Sequence, residues 1–253
     1  MNHTPPLPTL PPAFQAWFAA KGWAPHPHQL EMLAAARAGR SALLIAPTGG
    51  GKTLAGFLAS LVELAEDPRA GLHTLYISPL KALAVDIHRN LEAPIEEIGL
   101  AVTAETRTGD TPASKRQRQR RKPPHILLTT PESLALLLSY PDAGEIFAGL
   151  RCVVVDELHA LAGTKRGELL ALALARLATL APEARRVGLS ATVAHPVALE
   201  AYLSKTGRAP AEDVTVVRGG EAAQAEVKIL LPGGEKDEDR LPWSGHMGLY
   251  AID

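Results

Sequence analysis

Cysteine is nearly absent from this sequence: Cys152 is the only one in 253 residues. A single thiol excludes an intramolecular disulfide framework, a multi-cysteine zinc ribbon and a cysteine-bound iron–sulfur cluster. Aromatic residues make up 4% of the chain, too few for a surface built mainly on base–aromatic stacking. An excess of one charge is lacking as well. Lys and Arg number 26 against 27 Asp and Glu, for a net charge of -1. That excludes a uniformly basic nucleic-acid coat protein and leaves room for a local basic face. The best membrane candidate, 169–181, is too short to span a bilayer and is interrupted by Arg176. The opening MNHTPPLPTLPP has neither a basic n-region nor an apolar h-region, so it does not read as a signal peptide. What is present is globular: 46% hydrophobic and 21% charged residues, enough for a sizeable core in one or two domains. A soluble, cytoplasmic protein is the expectation.

Along the chain, residues 1–12 carry five prolines and are expected to be an extended or disordered tail, because proline fixes φ and removes a backbone donor. Helices are expected over 13–20 and 27–38. Short apolar runs then alternate with helical stretches. ALLIA (42–46), HTLYIS (73–78), HILLTT (125–130), CVVVD (152–156) and RVGLS (186–190) read as strands, with 101–107 a weaker one. Runs with so little polar alternation are buried on both faces, as in a parallel sheet covered by helices. The order argues for a doubly wound α/β domain. After residue 212, VTVV and EVKILL look like two further strands, and PGGEKDEDR reads as a solvated turn or linker. The expected organisation is a tail (1–12), one α/β domain (13–231) and a linker (232–253).

Two motifs carry chemistry. Ala46-Pro47-Thr48-Gly49-Gly50-Gly51-Lys52-Thr53 follows the strand 42–46 and opens a helix over 53–65. It departs from the usual phosphate-loop pattern only in having Ala46 for the first glycine, and strand–loop–helix is the context that motif needs. Gly49, Gly50 and Gly51 allow turns that aim backbone N–H groups at phosphates. The helix N-terminus adds positive potential, Lys52 reaches the β- and γ-phosphates, and the Thr53 hydroxyl suits Mg²⁺. ATP with Mg²⁺ is the expected ligand. The second motif, Val153-Val154-Val155-Asp156-Glu157-Leu158-His159, sets two acids at the end of a buried strand. Asp156 is placed to hold the metal and Glu157 to act as general base on water. Adjacent carboxylates there repel unless a cation sits between them. His159 taken alone is a satisfied core histidine, and Ser190-Ala191-Thr192 taken alone is a helix cap.

As a set, these words resemble a superfamily 2 helicase of the DExH type. More narrowly they resemble the Lhr ("large helicase-related") family and its ligase-associated DEXH-box relatives. The resemblance also rests on Ile77-Ser78-Pro79-Leu80-Lys81-Ala82-Leu83-Ala84, Arg107-Thr108-Gly109-Asp110-Thr111, Thr129-Thr130-Pro131-Glu132-Ser133-Leu134, Gly163-Thr164-Lys165-Arg166-Gly167 and Gly188-Leu189-Ser190-Ala191-Thr192. It covers roughly 14–203. Leu158 stands where the family often has Trp, and the loop reads GGGKT rather than GSGKT or GTGKT. The resemblance implies a RecA-like P-loop NTPase domain, the first motor lobe, with a second such lobe absent from this chain. It implies that Gln29 reads adenine, and that His159, Ser190 and Thr192 couple the nucleotide site to the other lobe or to the strand. It implies a 3′-to-5′ DNA helicase in DNA repair, with a DNA ligase and a nuclease as partners.

A translocase grips mainly the backbone of single-stranded or tailed DNA. Lys81, Arg107, Thr129, Thr130 and Arg166 are the candidates. Lys81 and Arg107 are otherwise solvated charges. Thr130 could cap the helix starting at Pro131, or Thr129 could form a capping box with Glu132. The run 115–122 holds six basic residues in eight and reads either as a salt-sensitive DNA contact or as a solvated face. Two other readings stay open: a nucleotide-dependent binding module without turnover, and an RNA helicase lobe.

Overall fold

Strand positions in this chain are set by short runs of branched and large apolar side chains, and helix ends by proline and glycine. A computed structural model describes residues 7–47, 49–191, 196–207 and 211–220, with backbone alone for Leu83, Val85 and Arg89. The chain divides into a unit Met1–Ala222 and a unit Ala223–Asp253. All described residues belong to the first. The expected strand EVKILL and the linker 232–253 therefore lie outside the described residues.

Two helices come first, α1 (Pro12–Ala20) and α2 (Pro27–Arg37), each with proline in its first turn, where no N–H partner is needed. Then β1 (Ser41–Ile45), α3 (Lys52–Glu66), β2 (Thr74–Ile77), α4 (Lys81–Ile98), β3 (Ala104–Arg107) and α5 (Ala113–Arg121) follow. Next are β4 (Ile126–Thr129), α6 (Pro131–Leu138), α7 (Ala143–Phe147), β5 (Cys152–Val155) and the one-turn α8 (Leu158–Leu161). The described chain closes with α9 (Lys165–Leu180), β6 (Arg185–Ser190), α10 (Val197–Leu203) and β7 (Val214–Arg218). No described helix is long and apolar enough to cross a membrane.

Of the expected tail, residues 7–12 are described and 1–6 lie outside the described residues. Leu10 is buried in the core, its carbonyl accepts a bond from the Gln15 amide at 2.6 Å, and Pro11 and Pro12 start α1. Prolines that would stiffen a free tail here preset the helix entry, so residues 7–12 are ordered rather than disordered.

The seven strands lie in the order β3-β4-β2-β5-β6-β1-β7, and every pairing is parallel. Helices cover both faces. Alternate side chains of one strand enter opposite cores: Leu44, Val154, Val187 and Leu189 join one cluster, and Leu43, Ile45, Val153 and Val155 the other. Each such residue is worth about 1.5–3 kcal/mol when fully buried. At Gly188 a Cβ would stand 2.8 Å from a Leu203 methyl and 3.0 Å from a Leu158 methyl, so glycine lets α8 and α10 approach β6 without those leucines shifting.

Register places the chemistry. Ile45 is opposite Ser190, and Val155 is opposite Ile77 and Gly188. The carboxyl ends of β1, β6 and β5 therefore stand side by side, where ligands bind in open α/β sheets.

Candidate nucleotide site

The glycine loop leaves β1 with Ala46, whose N–H donates to the Ser190 carbonyl at 3.1 Å. It ends at Gly51, the residue before α3, in the left-handed region at φ 72°. A Cβ on Gly51 would be strained there and would stand 2.9 Å from the Gln29 amide nitrogen and 3.3 Å from the His26 ring. Lys52 begins α3. It is only 8% exposed, and its Nζ is buried without a hydrogen-bond partner. A buried ammonium without an acceptor is costly, so this amine is suited to an anion that enters the loop. Thr53 lines the adjoining cleft of about 570 Å³. Thr48 lies outside the described residues.

That cleft runs from the loop to Trp23, Phe57 and Pro94. Gln29 is buried at its edge. Its Oε1 accepts from the His26 N–H at 2.9 Å, and its Nε2 donates to the Gly51 carbonyl at 3.4 Å. Gln29 thus ties α2 to the loop, and the exposed face of Trp23 offers a flat apolar wall for a base. Trp23 is not among the residues singled out in the sequence, since it falls between the expected helices 13–20 and 27–38.

Asp156 and Glu157 stand at the end of β5. The Asp156 N–H donates to the Ile77 carbonyl at 2.8 Å, and its Oδ1 accepts from the Glu157 N–H at 2.9 Å. Burial raises the Asp156 pKa. The neighbouring Glu157 charge adds to this, while Tyr76 and Lys52 pull the other way. The buried Tyr76 hydroxyl faces this carboxylate without completing a hydrogen bond. Burial first, and then the two acids, push its own pKa well above the phenol range. A divalent cation would relieve Asp156. Among the described residues no cluster of three or more His, Cys, Asp or Glu could hold a metal by itself. One carboxylate, one hydroxyl and phosphate oxygens is the donor set that Mg²⁺ takes. The donor chemistry therefore fits Mg²⁺ carried with a nucleotide, and Asp156 and Thr53 are the residues that would hold it.

Glu157 is the one non-glycine residue at positive φ (44°) among the described residues. Such a conformation costs about 1–3 kcal/mol and is sustained by its surroundings. It turns the chain into α8 and brings His159 back over the site. His159 Nδ1 lies 3.1 Å from Ser190 Oγ, accepts from the Ala191 N–H at 3.4 Å, and is 3.4 Å from a Glu157 carboxylate oxygen. His159 is therefore no isolated core histidine. It joins the acidic pair to the end of β6. Thr192 is outside the described residues.

The expected nucleic-acid residues divide. Arg166 clamps Glu132 with Nε at 2.5 Å and Nη2 at 3.1 Å, and donates through Nη1 to the Pro79 carbonyl at 2.6 Å. This pairing holds the Glu132 pKa down at about 2. Lys81 is exposed and paired with Asp110 at 2.9 Å. Thr130 caps α6, accepting from the Ser133 N–H at 3.4 Å, so the alternative box from Thr129 does not form. Two expectations are corrected. Arg107 is 1% exposed; its guanidinium donates to the Arg116 carbonyl at 2.9 Å and to Gln119 at 3.4 Å. It holds α5 against β3 and is not a solvated charge. Thr129 is buried, and its hydroxyl donates to the Arg107 carbonyl at 2.8 Å, so it shapes the rim from below. The basic run lies on α5 and its C-terminal end, and it is partly compensated by two acids outside it, Glu105 and Asp142. Arg118 pairs with Glu105 at 2.6 Å, while Arg120 pairs with Asp142 at 2.7 Å and stacks on Tyr140.

A parallel sheet with a glycine loop opening a helix after β1, and an acidic pair after β5 across one intervening strand, defines a RecA-like P-loop nucleotide-binding lobe. Comparison with known proteins narrows this. The chain belongs to the DEAD/DEAH box helicase family, whose model matches residues 26–199. It is 42% identical over 245 residues to the Lhr helicase/probable uracil glycosylase of Mycolicibacterium smegmatis, covering 91% of this chain and 16% of that protein. It is 39% identical to the ATP-dependent helicase Lhr-Core of Methanocaldococcus jannaschii, covering 85% of this chain and 27% of that one. Among solved structures, that of Mycobacterium smegmatis helicase Lhr bound to ssDNA and AMP-PNP superposes with a TM-score of 0.76 at 44% identity, over 84% of this chain and 28% of the other. The helicase MrfA bound to DNA gives 0.72 at 28% identity, over 85% and 30%. The chain thus spans between about a sixth and a third of the lengths of these relatives.

Proposed function

We propose that this chain is the N-terminal ATP-binding lobe of an Lhr-like, ATP-dependent DNA helicase that moves 3′-to-5′ and serves DNA repair. The observation that carries the reading is the buried, unpartnered Lys52 amine beside Asp156 at the mouth of the glycine loop. Lys52 and the loop amides bind the β- and γ-phosphates. Gln29 and Trp23 take the adenine. Thr53 and Asp156 hold Mg²⁺, which supplies neutralisation of the charge developing on the transferred phosphoryl. Glu157 accepts the proton of the attacking water. His159, bonded to Ser190 and beside Glu157, passes the state of the site to the end of β6.

DNA rather than RNA is favoured by the DNA-bound relatives at 44% and 28% identity. Lys81, Thr130 and Arg166 line the path of the strand, with DNA phosphates competing against Asp110 and Glu132 for the two cations. A ligase and a nuclease as partners rest on family resemblance. The test is binding of a fluorescent ATP analogue with Mg²⁺. Lys52→Ala is expected to lose affinity tenfold or more, about 1.4 kcal/mol, while staying folded. Unchanged affinity overturns the reading. Matched DNA and RNA strands added to a longer chain separate the DNA from the RNA reading by which one stimulates turnover. A second reading, binding without turnover, is favoured by the single lobe among the described residues. It predicts no ATP consumption by this chain with any strand.

A further inference from the structure

The segment Pro25-His26-Pro27-His28-Gln29 brings two imidazoles to the phosphate loop. The rings of His26 and His28 stack with centroids 5.1 Å apart and planes 12° from parallel. His26 is exposed, and its Cδ2 and Nε2 stand 3.3 and 3.7 Å from the position of a Cβ on Gly51. His28 is 4% exposed, and its Nε2 is buried with no hydrogen-bond partner. Its ring approaches the Gly50 backbone, and its Nδ1 lies 3.6 Å from a Cβ position on Gly219. The pair therefore packs against Gly50 and Gly51 of the loop, on the side away from the Gly50 N–H, which donates to the Pro47 carbonyl at 3.3 Å.

We propose that the His26–His28 pair is a further part of the triphosphate site, taking up a proton as the nucleotide binds and setting one positive charge behind the loop. The inference rests on the ATP-binding reading above. In the nucleotide-free protein burial disfavours a charge on His28, and the His26 ring next to it disfavours it further. The elements packed against α2 carry Lys52, Glu63 and Glu66 on α3 and Arg218 on β7, and α2 itself carries Glu31 and Arg37. Of all these the titratable group acting on His28 is His26. A triphosphate brings several negative charges to that loop, which favours the charged imidazole. The rings are in contact, so a charge on one opposes a charge on the other, and one added proton is the expected uptake.

Linkage then fixes the sign. If binding takes up a proton, affinity rises as pH falls through the histidine range, by at most ~10-fold per pH unit for one proton. The experiment is calorimetry of Mg²⁺·AMP-PNP binding to the whole chain in buffers of different ionisation enthalpy, from about pH 7.5 to about pH 6. The variants are His26→Asn, which keeps a favoured capping residue, and His26→Asn/His28→Gln. The expected result is uptake of a fraction of a proton and affinity about threefold or more tighter at the lower pH. His26→Asn should reduce this, and the double variant should abolish it while still binding. Binding by the wild type without proton uptake, or equal uptake in the double variant, overturns the proposal and leaves the ATP site standing. No binding by the wild type at any pH overturns the ATP reading itself. If the double variant fails to fold, the exposed His26→Asn decides, since unchanged uptake there refutes the pair as the acceptor.

Discussion

At the scale of single residues, the site depends on groups held in states that water would not favour. Lys52 is buried without a partner, Asp156 is buried beside another acid, and Gly51 sits in a left-handed turn against Gln29. Gly51→Ala adds about 1–2 kcal/mol of backbone strain and pushes Gln29 from its place. Nucleotide affinity is expected to fall tenfold or more, as read by analogue titration. Glu157→Gln keeps the size of the side chain and removes the base. In a chain long enough to turn over, ATP hydrolysis is expected to drop by about 10²–10⁴ with binding retained, and intact turnover would sink the general-base assignment. These residues were legible because each sits in a short word next to a strand or helix. Tyr76, the stacked histidines and the buried role of Arg107 were not. Their significance comes from residues such as Asp156, Gly51 and Gln119 that are distant along the chain, and no local spacing encodes that.

At the scale of elements, most strands were readable, because strands buried on both faces appear as unbroken apolar runs. β3 was weak because it lies at the sheet edge. Its Glu105 faces α5, where Arg118 and Gln119 take its carboxylate at 2.6 and 2.9 Å, so the strand reads as polar. The strand order was not readable, since it depends on how crossovers pack. One tie between elements makes a prediction. Arg166, at the start of α9, joins Glu132 of α6 and the Pro79 carbonyl before α4. Glu132→Gln releases one competitor for Arg166. Affinity for single-stranded DNA is expected to rise, with a steeper salt dependence, while Arg166→Ala should weaken it. Fluorescence anisotropy over a salt series checks both.

At the scale of the whole molecule, acid should weaken the fold in two windows. His73 is buried and kept neutral, chiefly by burial and then by Arg185, Arg69 and Arg151. Its pKa falls from 6.5 to about 4, although its Nε2 lies 3.4 Å from the Glu63 oxygen that Arg185 holds at 2.8 Å. The unfolded chain binds that proton first, so this contribution is complete above the unfolded value and is lost as pH falls from about 6.5 to about 4. Glu132 has the same sign lower down. Its contribution is lost between its ordinary value of 4.5 and about 2, and it is smaller because the pair is partly exposed. Denaturant melts over this range should show the first loss vanish in His73→Gln. The described residues form a single lobe, and a cationic group brought over the γ-phosphate by another element is worth ~10³–10⁵ in rate. Slow turnover by this chain is therefore expected, with a large gain when the rest of the motor is supplied. The left-handed backbone at Glu157 also has a practical consequence. Glycine would sit there without strain, so a library screened only for heat resistance should enrich Glu157→Gly, and its hardiest survivors would be the ones that no longer consume ATP.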